Sequence, residues 1–474
     1  MKIVYVISEA YPFVKTGGLA DVGGSFPKFV AKEGLKVIVC LPLYKTIDIK
    51  KYNIQKTDIE FYVELNQKKY KFQVYKYKDN VKYYFFKNNE LFGREGIYGD
   101  ENGYYKDNYL RFGAFSCAII EFLKKTGFIP DIIHLNNWET SLISPIIKTR
   151  FKNIFINTKI VLTIHNLLYQ GIFPKESGYE LGFDKNLLTE DFLLHKGKFN
   201  FIKGGIIFSD AITTVSPTYM KEICTPEYGA GLDQIIKQNC HKLYGILNGI
   251  DYSIWNPEKD PFIYENYSYS QILKKEDNKK RLLEDIGLSN YTKPLITFVG
   301  KFKQEHGIDL LLDSIKHMSK FDANFLIFGI GEKKYNNLFS NIGKKYKNVY
   351  VKIGFNEEFS RKVYAGGDFL LRPSIVEPCG ISQMIGMRYA NIIIARKTGG
   401  LADTVKDLSE SNGYGILFKS PQIKEFLFAV ERALNLYKNK EKFQKLRKYV
   451  STLNFSWEEP VAKYIRLYES LKFG

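Results

Sequence analysis

The chain has 474 residues, of which 45% are hydrophobic and 25% are charged. This length exceeds what one hydrophobic core usually supports, so we expect two or three domains of an ordinary globular protein. The net charge of +18 comes from lysines spread along the chain rather than from a basic tract, which argues against a nucleic-acid-binding protein. No apolar run is long enough to cross a bilayer, and the apolar start is too short for a signal peptide.

The five cysteines are scattered and lack the spacing of metal ligands. Their odd number also argues against a disulfide framework. Disulfides are rare in reducing compartments, so we expect a cytoplasmic protein.

The first informative segment is a glycine loop near the start of the chain. Residues 3–7 are apolar and predict a buried strand, and residues 21–30 predict the start of a helix. Lys15 and the pair Gly17-Gly18 lie between them. Glycines let backbone N–H groups approach a ligand and a helix N-terminus favours negative charge, so the loop is suited to phosphate. A plain strand-to-helix turn is the alternative interpretation.

A second loop of nearly the same sequence favours the phosphate interpretation. Residues 15–22 read Lys-Thr-Gly-Gly-Leu-Ala-Asp-Val, and residues 397–405 read Lys-Thr-Gly-Gly-Leu-Ala-Asp-Thr-Val. One such loop in each half of the chain suggests two similar domains that face a shared ligand.

Apolar segments alternate with amphipathic helices through most of the chain. Near-continuous apolar strands separated by helices predict parallel sheets that are covered on both faces. Such sheets bind ligands outside the carboxyl ends of their strands. The strand candidates are residues 3–7, 37–41, 132–135, 160–164, 211–215, 295–299, 325–328, 349–351 and 391–395.

Two other regions refine the domain organisation. Residues 59–86 alternate apolar and charged side chains, which predicts antiparallel hairpins inserted in the first domain. The pair Asn256-Pro257 marks a boundary, so we expect domains at residues 1–256 and 257–457. A helix at about 458–474 is expected to pack back on the first domain.

Short motifs spread along the chain carry a family resemblance. They are Ser8-Glu9, Ile97-Tyr98-Gly99, Tyr105-Lys106-Asp107-Asn108, Thr163-Ile164-His165-Asn166, Thr214-Val215-Ser216-Pro217, Leu247-Asn248-Gly249-Ile250-Asp251, Trp255-Asn256-Pro257 and Glu377-Pro378-Cys379-Gly380. In this order, over nearly the whole length, they resemble the bacterial glycogen synthases and the related plant starch synthases.

The resemblance implies an α/β fold of two doubly wound, Rossmann-like domains with a catalytic cleft between them, the GT-B type. It implies transfer of glucose from ADP-glucose to the non-reducing end of an α-1,4-glucan such as glycogen, with retention of configuration. It implies no cofactor and no metal, because backbone amides and basic side chains hold the diphosphate. The choice between ADP- and UDP-glucose, the oligomeric state and any surface glucan sites stay open. No nucleic-acid or membrane partner is expected.

The resemblance also implies roles for individual residues. Lys15 and the first glycine loop would contact the phosphates, His165 the transferring glucose, and Glu377 the sugar hydroxyls. Domain closure would bring the residues of the two halves together. The implied catalytic residues are His165, Glu377, Lys301, His306 and Asp21. The implied donor-binding residues are Lys15, Gly17, Gly18, Asn248, Cys379, Gly380, Thr398, Gly399 and Gly400.

Some of these residues have simpler explanations. Glu377 could be an acid that only complements a helix dipole, and Asn248 could belong to a turn before Gly249. The adjoining motif favours a functional Glu377, whereas the two explanations of Asn248 are nearly balanced. Trp138, Trp255 and Trp457 are expected in the core rather than stacked on sugars.

Four positions depart from the family pattern. Lys301 stands for an arginine, His306 for a lysine, Asn137 for an aspartate, and Ile375 for an arginine. Lysine lacks the bidentate geometry of arginine, and histidine is mostly neutral at cytoplasmic pH. These departures favour one alternative, a catalytically impaired homologue that binds glucan. A transferase with another donor or acceptor is a second alternative, which the motifs around Tyr98, Asp107 and Trp255 oppose.

Overall fold

The structure of the protein, a computed structural model, describes residues 1–101, 103–288 and 290–474. The chain forms two compact units. We call them the N-terminal unit (Met1–Gly249 with Trp457–Gly474) and the C-terminal unit (Ile250–Ser456). Each unit has a parallel sheet with connecting helices, which confirms the predicted α/β class.

The N-terminal unit alternates strands and helices over most of its length. Its strands are β1 (Lys2–Val6), β2 (Lys36–Pro42), β3 (Gln55–Leu65), β4 (Lys68–Lys78), β5 (Lys82–Lys87), β6 (Gly99–Asp100), β7 (Gly103–Tyr104), β8 (Ile132–Asn136), β9 (Lys159–Ile164), β10 (Ile172–Phe173), β11 (Leu194–His195), β12 (Lys198–Asn200), β13 (Ala211–Thr214) and β14 (Leu243–Gly245). Its first helices are α1 (Gly18–Lys32), α2 (Asn89–Phe92), α3 (Asn108–Thr126), α4 (Trp138–Ser141), α5 (Ile143–Arg150), α6 (Glu176–Glu180), α7 (Phe201–Phe208), α8 (Pro217–Glu222) and α9 (Asp233–Gln238).

The large sheet of this unit has the strand order β14-β13-β9-β8-β1-β2-β5-β4-β3. The strands from β14 to β5 pair in parallel. The predicted hairpins are present as β3, β4 and β5, which pair antiparallel. Because β5 also pairs with β2, the hairpins extend the main sheet rather than form a separate insertion.

The C-terminal unit is a second doubly wound sheet. Its strands are β15 (Leu295–Phe302), β16 (Asn324–Gly331), β17 (Val349–Ile353), β18 (Phe369–Arg372), β19 (Ile392–Arg396) and β20 (Ile416–Phe418). Its helices are α10 (Lys275–Asp285), α11 (Ile308–Met318), α12 (Lys333–Lys345), α13 (Glu357–Gly366), α14 (Ile381–Arg388), α15 (Gly399–Thr404), α16 (Ile423–Lys438) and α17 (Lys440–Thr452). All neighbours in the order β17-β16-β15-β18-β19-β20 are parallel. The sequence did not predict β18 and β20.

The helix α18 (Glu458–Phe473) belongs to the N-terminal unit. The ring of Tyr464 lies 4.9 Å from the ring of Phe26 on α1. The hydroxyl of Tyr468 lies 2.6 Å from Nδ1 of His134, a buried histidine on β8. Just before the helix, Trp457 packs on Phe26 with 1% of its surface exposed. The segment therefore completes the core beside α1 and β8.

Candidate active site

The strand order places a topological switch point in the N-terminal unit. The strand β1 lies between β2 and β8, so the connections that follow β1 and β8 leave toward opposite sides of the sheet. In open α/β sheets, ligands bind at the carboxyl ends of the strands where this reversal occurs. The first glycine loop follows β1, and Asn137 follows β8. His165 follows the next strand, β9.

The first glycine loop is held in place by the buried carboxylate of Glu9. Glu9 accepts hydrogen bonds from the backbone N–H of Thr16 at 2.5 Å and from its hydroxyl at 2.7 Å. The hydroxyl of Tyr98 donates to the same carboxylate at 2.7 Å. Gly17 caps α1, which begins at Gly18, so the loop leads straight into a helix N-terminus.

Lys15 and Asp21 contact each other in this loop. The Nζ of Lys15 lies 2.6 Å from Oδ1 of Asp21, and both side chains keep about a fifth of their surface exposed, 22% and 21%. Asp21 also lies in the first turn of α1, where its charge complements the helix dipole. The structure thus brings together one predicted phosphate ligand and one predicted catalytic residue.

His165 is held by two asparagines at the end of β8. Its backbone N–H donates to Oδ1 of Asn137 at 2.8 Å, and its Nε2 lies 2.9 Å from Oδ1 of Asn136. Burial lowers the pKa of His165 to about 3, so its ring is neutral at physiological pH. Asn248 lies at the same small pocket as His165. The structure therefore brings these two predicted site residues together.

Asn137, one of the departures from the family pattern, has a strained backbone. Its φ of 57° and ψ of −170° are unusual for a residue with a side chain. Such a conformation costs about 1–3 kcal/mol and is concentrated at functional sites. The side-chain oxygen of Asn137 still supports the His165 backbone, a contact that an aspartate would make equally well. The substitution therefore changes the local charge rather than this hydrogen bond.

The C-terminal unit has its own switch point, between β15 and β18. The strand β15 continues to β16 on one side, and β18 continues to β19 on the other. Lys301 lies near the end of β15, and His306 ends the 3₁₀ turn that follows. Glu377 lies in the loop after β18. Three predicted catalytic residues therefore lie at the carboxyl ends of adjacent strands.

The loops after β15 and β18 are bonded to each other. The carbonyl of Glu305 accepts hydrogen bonds from the backbone N–H groups of Ile375 and Val376 at 2.8 Å and 3.0 Å. Gly307 has a φ of 72°, and a Cβ on it would lie 2.0 Å from the carbonyl oxygen of Pro373. Glycine is therefore required here for both the conformation and the close approach.

Glu377 is a buried carboxylate with one anchored oxygen. Its Oε2 accepts hydrogen bonds from the Arg372 guanidinium and from the Ser374 hydroxyl, the latter at 3.0 Å. Burial favours the neutral acid, but the charge of Arg372 and these hydrogen bonds hold the pKa of Glu377 below its ordinary value. Glu377 is therefore ionised at neutral pH. Within the described residues, no hydrogen bond is made to Oε1, which can accept one from a ligand hydroxyl.

His306 faces this carboxylate. Its Nδ1 lies 3.9 Å from Oε2 of Glu377 and is buried without a hydrogen-bond partner among the described residues. Burial lowers the pKa of His306, and the charge of Arg372 adds to this effect, although Glu377 attracts the proton. His306 is therefore largely neutral at neutral pH.

The second glycine loop reaches Glu377 through its backbone. The Gly400 N–H donates to the Glu377 carbonyl at 2.9 Å, and a Cβ on Gly400 would lie 1.9 Å from the carbonyl oxygen of Cys379. Gly380, with a φ of 75°, caps α14. Cys379 is buried, and Gly399 begins α15 next to Thr398, its N-cap. The loops thus lie together, while the donor contacts of these residues stay predictions.

A positively charged side chain lies near Ile375, the position at which the family has an arginine. Arg396, at the end of β19, donates to the carbonyls of Ser374 and Ile375. A guanidinium therefore supports the loop in which the family arginine is missing.

Two kinds of feature are absent from the part of the chain that the structure describes. It contains no helix that is both long and apolar enough to span a membrane. It also contains no group of three or more His, Cys, Asp or Glu side chains arranged to hold a metal ion.

Two family models match the chain. The starch synthase catalytic domain matches residues 2–238, and glycosyl transferases group 1 match residues 279–450. Together with the two Rossmann-like units, these matches define the protein as a glycosyltransferase.

Curated relatives narrow this class. A glycogen synthase of Aquifex aeolicus (strain VF5) is 48% identical over 472 residues, which are 100% of this chain and 99% of that protein. A glycogen synthase of Thermodesulfovibrio yellowstonii is 41% identical over 490 residues, with 99% and 98% of the two chains covered. The chain belongs to the glycogen synthase and starch synthase family of glycosyltransferases, which confirms the resemblance.

Solved structures show the same fold. The catalytic domain of starch synthase IV from Arabidopsis thaliana, bound to ADP and acarbose, is 31% identical with a TM-score of 0.94 over 99% of both chains. A sucrose-phosphate synthase from Thermosynechococcus elongatus is 16% identical with a TM-score of 0.63 over 99% of both chains. The second likeness shows the fold alone.

The sequence did not single out Arg372, Ser374 or Asn136, all of which contact predicted site residues. Arg372 could have been found, because a lone arginine ends the apolar run of β18. Asn136 carried no comparable signal, since it precedes the better marked Asn137-Trp138 pair.

Proposed function

We propose that the protein transfers glucose from ADP-glucose to the non-reducing end of an α-1,4-glucan with retention of configuration. The observation that carries this proposal is Glu377, a buried, ionised carboxylate that keeps one oxygen for a ligand at the switch point of the C-terminal unit. Full-length similarity to glycogen synthases supports the acceptor. The starch synthase structure with ADP and acarbose supports the donor.

The basic residues and the carboxylate of Glu377 would have different roles in the reaction. The reaction breaks the bond from the anomeric carbon to the diphosphate and forms a bond to the acceptor oxygen, whose proton passes to the departing diphosphate. Negative charge grows on the diphosphate, which Lys301 and a protonated His306 would stabilise. Glu377 Oε1 would accept a hydrogen bond from a sugar hydroxyl, while Arg372 and Ser374 keep the carboxylate in place. Lys15, paired with Asp21, offers a further cation beside a helix N-terminus.

A donor panel with a glycogen primer tests the proposal. Purified protein is incubated with ADP-glucose or UDP-glucose, and incorporated glucose and its linkage are measured. We expect incorporation from ADP-glucose in α-1,4 linkage. Glu377→Gln should lower kcat by about 10²- to 10³-fold, since one charge contact in the transition state is lost. Glu358→Gln is the control, because Glu358 is paired with Lys362 elsewhere on α13.

The alternative is a catalytically impaired homologue that binds glucan. Lys301, His306 and Asn137 favour it, because each carries less charge or a poorer phosphate geometry than the family residue. The combined change Lys301→Arg, His306→Lys and Asn137→Asp separates the two ideas. A large gain from a wild-type protein that incorporates no glucose supports impairment, whereas efficient wild-type incorporation rules it out.

A further inference from the structure

The side chain of Asn136 connects β1 to His165. Its amide nitrogen Nδ2 donates to the carbonyl of Val6 at 2.9 Å. Its oxygen Oδ1 accepts from the hydroxyl of Tyr5 at 2.9 Å and lies 2.9 Å from Nε2 of His165. Asn136 has no exposed surface, so these contacts are shielded from solvent.

These contacts fix which way the amide of Asn136 points. The carbonyl of Val6 can only accept a hydrogen bond, so the atom that faces it must be the NH₂ group. The oxygen must then face Tyr5 and His165. Because that oxygen can only accept, Nε2 of His165 must carry the proton. The neutral ring therefore leaves Nδ1 as the nitrogen with a lone pair.

Nothing on the described protein competes for that lone pair. Among the described residues, His165 makes hydrogen bonds through its backbone N–H and Nε2 but not through Nδ1. The pocket beside the ring, lined by Tyr5, Asn136, Asn248 and Trp457 among others, leaves no space for a water molecule. The contact between Nε2 and Oδ1 of Asn136, 2.9 Å long, is therefore direct rather than bridged by water.

We propose that Asn136, supported by Tyr5, is a positioning residue that holds His165 with its proton on Nε2, so that Nδ1 accepts a hydrogen bond from a substrate hydroxyl. The proposal rests on the proposed function, because it assumes that His165 contacts the sugar. In this state Nδ1 of His165 favours hydroxyl groups, which can donate a hydrogen bond, over phosphate oxygens, which can only accept one. A histidine with the proton on Nδ1 would instead donate to either group and would not discriminate against phosphate oxygens.

The tautomer can be read directly by nitrogen NMR of the full-length protein with labelled histidine. The chain has only six histidines, and the His165→Gln variant assigns the signal. We expect a pyrrole-like Nε2 and a pyridine-like Nδ1 in the wild type. Asn136→Leu, which removes the acceptor, should give a mixed tautomer. A wild-type ring with the proton on Nδ1, or an unchanged tautomer in Asn136→Leu, would overturn the proposal.

Two controls separate positioning from general damage. The signal of His134, on the same strand but bonded to Tyr468 and Thr163, should not move in Asn136→Leu. Asn324→Leu makes the same change at a buried asparagine of the C-terminal unit and should leave the His165 signal unaltered. If Asn136→Leu does not fold, the wild-type tautomer and the Asn136→Asp variant still decide the question.

Kinetics give the second readout. Asn136→Leu should lower kcat about 10- to 100-fold, the range found when a group that orients a metal-bound histidine is removed. Asn136→Asp keeps an acceptor for Nε2. As a neutral acid, which burial favours, it also donates to the Val6 carbonyl, so it should retain both the tautomer and most of kcat. Equal losses of kcat in the two variants would show a merely structural role and overturn the proposal. An inactive wild type would instead defeat the proposed function, while the NMR signal would still report the tautomer.

Discussion

Replacing His306 by lysine tests the proposal that the C-terminal unit binds a diphosphate. The ring lies 3.9 Å from Glu377, and a full charge there would gain about 4 kcal/mol at an effective dielectric constant of about 20. Burial and the charge of Arg372 outweigh this gain, since the pKa of His306 is below its ordinary value. Glu305 and Lys303, themselves 3.6 Å apart, add charges of opposite sign nearby. A diphosphate that needs a charged His306 must therefore supply the free energy of protonation.

The size of this cost follows from the direction of the shift. The ordinary pKa of histidine is ~6.5, so at pH 7.5 protonation costs at least about 1.4 kcal/mol, or about tenfold in affinity. Donor Kd should rise about tenfold per pH unit between about pH 6.5 and 8.5 in the wild type. In His306→Lys it should be nearly constant and at least about tenfold lower at pH 7.5, because lysine stays charged throughout.

Calorimetric titration with ADP-glucose measures this dependence. Its diphosphate is esterified at both ends, so the charge of the ligand does not change over this range. His317→Lys is the matched control, because it adds the same charge at an exposed position at the end of α11. Equal pH slopes in the wild type and in His306→Lys would show that donor binding does not depend on protonation of His306.

Two further predictions concern stability. Burial raises the pKa of Glu139 to about 8, so the folded protein keeps a proton that the unfolded chain loses from about pH 4.5 upward, and the free energy of unfolding falls as the pH rises toward 8. Glu139→Gln should remove up to about 1.4 kcal/mol per pH unit of this slope, and identical slopes in chemical denaturation of the two proteins would contradict the assignment. Gly400→Ala would place a Cβ 1.9 Å from the carbonyl oxygen of Cys379 and should cost about 1–3 kcal/mol by overpacking. An unchanged melting temperature would show that the loop accommodates the added methyl group without strain, contrary to this prediction.

The strands of both sheets were predictable where their apolar runs were long. Residues 295–299 and 325–328, for example, lie in β15 and β16 and are buried. The strand β18 has four residues ending in Arg372, and it was missed although the equally short run at residues 349–351 was correctly placed in β17. The hairpin strands were predicted from their alternation, but their place beside β2 depends on a pairing that alternation does not specify.

The site was predictable only as separate groups of residues. Motifs marked His165 and Glu377, because each follows a recognisable pattern. Their partners Asn136 and Arg372 were not marked. The contact of Asn136 with His165 depends on the order of strands in the sheet, whereas that of Arg372 with Glu377 depends on the conformation of the loop between them. The neutral state of His306 was expected from its ordinary pKa, and burial strengthens that state in the structure.

The return of α18 to the N-terminal unit has a consequence for biosynthesis. Tyr468, which bonds to His134, is made only after the whole of Ile250–Ser456 has been translated. Until then His134 and Phe26 lack the partners that this segment supplies. The C-terminal unit, in contrast, is continuous in sequence and can fold as it leaves the ribosome. The unit that is translated first is therefore the one completed last.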